Sequence, residues 1–233
     1  MPKIIIDERI FSKFPDFKRG IIYVKNINNA TMSEKITELL DQARQTVANN
    51  NFLEHDQVRA WDEAHRLFNS NPNKFPPSIK SLLKRAPKSA LPYINSVVAL
   101  FNYISLKYLI PCGGDDLDTI TGNLKLGLAT GHESFVALGS QEQDKPVPGE
   151  VIYFDDASLK VMCRRWNWRN SDFSKITEQT KRLIINLDGI GLVSEDVILK
   201  ARDELVGLLE TECQAELTCD LLNKNKNELD LDQ

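Results

Sequence analysis

The chain has 233 residues, 42% of them hydrophobic and 27% charged, which is ordinary for a soluble globular protein of one large or two small domains. No apolar run approaches the roughly 20 residues needed to span a bilayer. MPKIIIDERI lacks a cationic start leading into a long apolar stretch, so neither a membrane helix nor a signal peptide is expected. The net charge of −4 hides an asymmetry: from Glu195 onward eleven acids face four basic residues, which leaves +3 on the rest.

Ala64 to Gly114 contains no acid but carries Arg66, Lys74, Lys80, Lys84, Arg85, Lys88 and Lys107. Ala157 to Ser171 is acid-free as well, with Lys160, Arg164, Arg165 and Arg169. Such stretches fit a polyanion footprint or a solvated face. Cys112, Cys163, Cys213 and Cys219 form no CxxC pair, and His55, His65 and His132 are scattered. No zinc site or cofactor is expected, and the thiols read as reduced, in a cytoplasmic protein.

Ile4 to Ile6 and Ile21 to Val24 read as short buried strands around a turn-like segment with Pro15 and Gly20. Thr31-Met-Ser-Glu34 is a capping-box pattern, followed by Ile36, Leu39, Leu40, Ala43 and Val47 at helical spacing. Residues 55–68 form a second helix with Val58, Trp61, Ala64, His65 and Phe68 on one face, and Asn69 to Pro77 breaks it. Ser78 caps a third helix, and Pro92 opens a strongly apolar one to about Leu109. After Pro111, strand-like pieces near 124–128, 134–138, 150–154, 159–168 and 183–187 are punctuated by Gly and Pro. Ser194 then starts an amphipathic helix. The expected class is α+β, a helical N-terminal half packed on a mostly antiparallel sheet. Residues 1–222 read as one domain, and the polar end, 223–233, reads as a disordered tail.

The stretch RRWNWRNSDFSKITEQT, 164–180, interleaves Trp166 and Trp168 with Arg164, Arg165 and Arg169. Read as a strand over 161–169, it places Arg164, Trp166 and Trp168 on one face and Arg165, Asn167 and Arg169 on the other. Aromatic platforms beside arginines suit a nucleobase, a phosphate or a carboxylate. The rival is a strand of packed tryptophans with arginine stems laid across them.

Asn102-Tyr103, Leu106, Pro111 and Asp116, with Ile176-Thr177-Glu178-Gln179-Thr180 further on, carry a resemblance: from Pro92 on, the residues resemble the tRNA-editing domain (the B-three/B-four module pair) in the β subunit of bacterial phenylalanyl-tRNA synthetase. The synthetase segment N-Y-x-x-L-x-x-G-Q-P-x-H-A-F-D is matched in register, without a gap, at Asn102, Tyr103, Leu106, Pro111 and Asp116. Ile176-Thr177-Glu178-Gln179-Thr180 is similar to its V-T-E-E-T turn. Free-standing relatives look closer, through Phe75-Pro-Pro-Ser78, Gly113-Gly114-Asp115-Asp116, Glu133 with Phe135, Pro148-Gly149-Glu150 and Cys163 to Arg169. The resemblance covers about Phe11 to Asp188 and is strongest over 75–188.

It implies hydrolysis of misacylated aminoacyl-tRNA in trans by a positioned water, a proofreading step. The partners implied are the aminoacylated 3′ end of tRNA and a free amino acid, with neither DNA nor membrane. Trp166, Trp168 and Asn167 would then stack on the terminal adenosine or wall the amino-acid slot, and Arg164, Arg165 and Arg169 would neutralise phosphates. Glu178 would bind the α-ammonium or hold the water, unless it is a solvated turn carboxylate. Thr177 and Thr180 bond the ester or only close the turn. Asn102 is a pocket polar group or finds a backbone partner. Asp116, after Gly113 and Gly114, meets a ligand or forms an Asx-turn. Glu133 lines the site or sits at the surface. Gly113 replaces the family's histidine, so the substrate does not carry over from the resemblance. No Ser–His–Asp set stands out and Cys163 has no adjacent partner, so no covalent nucleophile is expected. Nor does the chain show an aminoacylation core, which argues against a ligase. The competing readings are a module that binds tRNA, an amino acid or a nucleotide without catalysis, and a hydrolase of another small aminoacyl ester or amide.

Overall fold

Three consecutive isoleucines, Ile4 to Ile6, supply the β-branched run of the first strand, β1 (Lys3–Ile6), in the computed structural model, which describes residues 2–30 and 33–231. Asp7 accepts from the Arg9 N–H (3.0 Å) and so caps the short helix α1 (Glu8–Lys13), which leads into β2 (Lys18–Asn26). The helical half is α2 (Glu34–Ala48), α3 (Asp56–Leu67), α4 (Ser78–Arg85) and α5 (Ser96–Tyr108). Strands β3 (Cys112–Asp116), β4 (Leu124–Leu128), β5 (Phe135–Val136), β6 (Gln143–Asp144) and β7 (Val151–Asp155) follow. After β8 (Val161–Arg164), β9 (Arg169–Asn170) and β10 (Leu183–Gly189) come helix α6 (Glu195–Cys213) and strands β11 (Glu216–Leu222) and β12 (Glu228–Asp230).

The architecture is α+β with mostly antiparallel sheets. A six-stranded sheet runs β12-β1-β4-β7-β8-β9, with β1 and β4 parallel and its other pairs antiparallel. A four-stranded sheet, β11-β2-β10-β3, is antiparallel throughout. Helix α6 packs on β2, β10 and β11, α5 packs on β3 and on α6, and α2 packs on α5. The period of two along β2 and β10 sorts their side chains between two faces. Gly20 and Gly189 face α6, where an added Cβ would lie 3.0 and 2.9 Å from Ile198. Arg19, Asn186 and Asp188 face the other way, and the Arg19 guanidinium lies 4.9 Å over the Tyr153 ring of the six-stranded sheet. One cluster of buried apolar side chains extends from Ile4 to Leu231 and draws on both sheets and all six helices.

Several boundaries differ from the sequence reading. The expected turn is present at Pro15 and Asp16, between α1 and β2, but Gly20 lies inside β2 and serves close approach of α6 rather than a turn. Thr31 of the capping box lies outside the described residues, and Ser33 holds the N-cap position of α2. Pro77, not Ser78, precedes α4 as its N-cap. Helix α5 begins at Ser96 rather than Pro92, because the Asn95 side chain accepts from the Val98 N–H (3.0 Å). The expected disordered tail is ordered through Leu231: β12 pairs with β1, Leu229 facing Ile4 in register, and Leu231 is buried. Among the described residues no helix is long and apolar enough to cross a membrane.

Candidate functional site

Between the two sheets, where α4 and α5 close over them, lies a cleft of two joined chambers. The inner chamber encloses about 170 Å³. A water needs on the order of 10–15 Å³ by that measure, so it holds several waters or a short side chain. Leu82, Phe101, Pro111 and Trp166 give it apolar walls, and Arg19, Asp115, Tyr153, Asn186 and Asp188 give it a polar floor. The mouth is framed by Ile94, Val98, Leu138, Ile176, Thr177 and Glu178. Arg85, Asn102, Gly114, Asp115 and Asn170 line both chambers and so stand at their junction.

The floor is a charged network. Asp188 accepts from Arg19 Nε (2.6 Å), Arg19 Nη2 (2.8 Å) and Trp166 Nε1 (3.0 Å). Arg19 Nη1 remains buried without a partner. Asp115 is 6% exposed, and its Oδ1 accepts from Ser174 Oγ at 2.6 Å. Burial pushes its pKa up to about 6, against the opposing pull of Ser174 and Arg19. Burial also raises the Tyr153 phenol and the Cys112 and Cys163 thiols, so the two cysteines are not poised as thiolates. Gly114 admits no side chain, since a Cβ would sit 2.5 Å from the Ile184 carbonyl oxygen.

Residues 161–169 are not one strand. The chain leaves β8 after Arg164, turns over 165–168 and returns as β9. Arg165 and Trp166 hold φ of 48° and 66°, a left-handed pair that costs roughly 1–2 kcal/mol per residue. The Asn167 N–H closes on the Arg165 carbonyl (2.8 Å) across Trp166, a γ-turn. Burial offsets the strain: the Trp166 ring packs against Phe14, Phe17, Trp61 and Phe68, with centroids 4.8 to 6.5 Å away. His65 Nε2 meets Asn167 Oδ1 (3.2 Å) and the Ser78 N–H donates to the Asn167 carbonyl (2.9 Å), so α3 and α4 both clamp the turn.

The sequence model of the B3/4 domain matches residues 60–207, more than half of the chain. The chain belongs to the B3/4 domain family. Among solved structures it is similar to an N-terminal fragment of the phenylalanyl-tRNA synthetase β-subunit from Pyrococcus horikoshii. The two share 14% identity at a TM-score of 0.50, over 92% of this chain and 49% of that one. The likeness is one of fold, and the chain spans about half the length of that fragment. No curated protein matches the sequence.

Within this B3/4 domain, Asn102, Gly113, Gly114, Trp166 and Asn167 line the inner chamber, and Asn102, Gly114, Thr177 and Glu178 line the mouth. Glu178 is exposed at the rim. The other expected site residues stand elsewhere. Arg164 is buried and held by Glu150 (Nε–Oε1 2.9 Å, Nη2–Oε2 2.8 Å) and by Asp144, so its charge is already matched. The Arg165 guanidinium lies 3.7 Å over the Phe75 ring, with Glu150 3.6 Å away. Trp168 packs edge-on against Phe75, and Trp166 is an edge of the chamber wall rather than an open stacking platform. Arg169 is exposed on β9. Asp116 caps the next turn through the Asp118 N–H (2.9 Å) and accepts from Thr180 Oγ1 (2.6 Å). Glu133 is buried and folded back on its own loop. Burial works against its carboxylate, but the Thr130 and Gly131 N–H groups (2.9 Å each) outweigh it and hold its pKa down.

Sequence reasoning missed Asp115, Arg19 and Asp188. Asp115 stood in the quoted Gly113-Gly114-Asp115-Asp116 motif, and only the register of β3 decides which aspartate faces the cleft. Ile184, whose side of β10 also carries Asn186 and Asp188, pairs with Asp115.

Proposed function

We propose that this B3/4 domain hydrolyses the ester of misacylated aminoacyl-tRNA in trans, as a proofreading step of translation in the cytoplasm. Family membership supports the reading, as does a fold shared with a synthetase β-subunit fragment. The observation that carries it is the Asp115 carboxyl, buried at the junction of the two chambers with its pKa pushed up to about 6. A general base works best when its pKa lies near the operating pH.

In this reading the terminal adenosine of tRNA occupies the mouth and the amino-acid side chain enters the inner chamber. The ester carbonyl then lies at the junction beside Asn102. Ionised Asp115 takes a proton from a water as its oxygen attacks the carbonyl carbon. The bond from that carbon to the ribose oxygen breaks, and the ribose oxygen receives the proton. Glu178 and Thr177 at the rim hold the α-ammonium. Arg85, which forms no ion pair among the described residues, and Arg169 face the phosphates. Trp166 and Asn167 shape the wall, and Asp116 and Thr180 brace the turn that carries Glu178.

The test is a deacylation panel of cognate and mischarged aminoacyl-tRNAs. The wild type should discharge one class, and Asp115→Asn should slow that discharge at least about 100-fold. Binding of tRNA with no discharge anywhere in the panel would instead make the domain a binding module.

A further inference from the structure

The inner chamber has apolar sides but a floor of unmet hydrogen-bonding capacity. Four of its lining residues carry a buried nitrogen or oxygen without a partner: Arg19 Nη1, Tyr153 OH, Asn167 Nδ2 and Asn186 Oδ1. Asn186 is near enough to act on the Tyr153 phenol, but the two close no hydrogen bond of good geometry. Arg19, Tyr153 and Asn186 are each less than 9% exposed. More than 90% of buried polar groups in proteins are paired, so four unpaired ones on residues that line one small chamber point to a polar occupant.

The occupant's chemistry follows from the inventory. Arg19 and Asn167 offer donors, Asn186 offers an acceptor, and the Tyr153 hydroxyl can act as either. A group that only donates or only accepts would leave part of the set unmet. Full ionic groups fit poorly, because Asp188 already matches Arg19 and Asp115 stands alongside. An aromatic ring would bury these atoms against carbon, which costs about 1–3 kcal/mol for each group left unpaired.

We propose that the inner chamber is a side-chain subsite selecting a short, neutral group that both donates and accepts hydrogen bonds. The amino acid recognised therefore bears a hydroxyl or a carboxamide rather than an aromatic ring. This rests on the cleft being the aminoacyl site of the proposed function, and it names the substrate class of that site. A site that hydrogen-bonds a substrate hydroxyl or amide discriminates strongly against the apolar isostere, whereas an apolar pocket does not.

The test separates recognition from turnover. Adenosines carrying the amino acid through a non-hydrolysable 3′-amide would be titrated into the protein by calorimetry. Two isosteric pairs, threonyl against valyl and asparaginyl against leucyl, would be compared with phenylalanyl. At least one polar member should bind tenfold or more tightly than its isostere, and more tightly than phenylalanyl. Tyr153→Phe should narrow that ratio while keeping the melting temperature, since it removes an oxygen that has no partner. Equal binding within both pairs, phenylalanyl as the tightest ligand, a ratio unchanged in Tyr153→Phe, or no binding by any analogue would overturn the subsite. Discriminating binding with no discharge of any aminoacyl-tRNA would keep the subsite and overturn the hydrolase.

Discussion

Asp188 grips the Arg19 guanidinium in a two-point hydrogen bond, 2.6 and 2.8 Å, with both side chains no more than 6% exposed. The pair joins neighbouring strands β2 and β10 on the face that floors the inner chamber. Removing one partner strands a buried charge. Asp188→Asn or Arg19→Met alone should therefore cost about 3–5 kcal/mol in urea unfolding, and the double replacement less than the sum. Strict additivity would mean that the two act independently.

The Asp115 carboxyl is raised in the folded state to about 6, above its unfolded value. The folded protein then binds the extra proton between about pH 4 and 6, so this group's contribution is full at low pH and is lost as pH rises through 6. Asp115→Asn should stabilise the protein by roughly 2–3 kcal/mol at pH 8 and make little difference at pH 4. In the proposed reaction, discharge of aminoacyl-tRNA should climb through about pH 6, where half of Asp115 is ionised, and level above it. A pH-independent stability difference would show that Asp115 is not the titrating group.

His65 has the opposite sign. Burial lowers its pKa to about 4, below the unfolded value. Its contribution is present above about pH 6.5 and is lost as pH falls toward 4. His65→Gln should flatten the acid limb of the melting-temperature profile. A limb of unchanged slope would assign acid lability to other groups.

Trp166→Ala should destabilise by about 3–5 kcal/mol, because four aromatic rings lose their common partner. Trp166→Phe keeps most of the packing but strips Asp188 of one donor, and about 1–3 kcal/mol is expected. Equal losses in the two variants would mean that the indole N–H matters more than the ring.

Two arginines should separate stability from tRNA binding. Arg164→Ala leaves Glu150 buried beside a vacated partner, so it should lower the melting temperature by several degrees. Arg85→Ala should leave the melting temperature alone and reduce the slope of log affinity for tRNA against log salt by about 1. Reversed effects would put the phosphate contact on Arg164.

The helices were legible because an apolar stripe at 3.6-residue spacing survives without its partners, as in α2, α3 and α6. Strand β3 was not legible. Cys112-Gly-Gly-Asp-Asp116 has no apolar alternation, and only pairing with β10 makes it a strand. That same hidden register separates Asp115 from Asp116, since a shift of one residue exchanges the faces. The turn at 165–168 was hidden for another reason. Two successive left-handed residues that are not glycine carry no local signal, and Trp61, Phe68 and His65 that hold them come from a distant helix and its end. The Arg164–Glu150 pair spans only 14 residues, yet its charge reads as free until β8 pairs with β7, which Glu150 precedes.

The parallel pairing of β1 with β4, and its closure by β12, has a temporal side. Lys3 bonds to Asn123, 120 residues on, and to Glu228, 225 residues on. Strand β1 leaves a ribosome before either of its neighbours, since β4 and β12 both follow it far along the chain. Contacts of such sequence separation form slowly. Until residues 228–230 have emerged, Ile4 and Ile6 belong to a sheet with an open edge, the kind of surface that invites misassembly. The six-stranded sheet should thus close only once residues 228–230 have been made, and the nascent chain before that point should be a customer for chaperones.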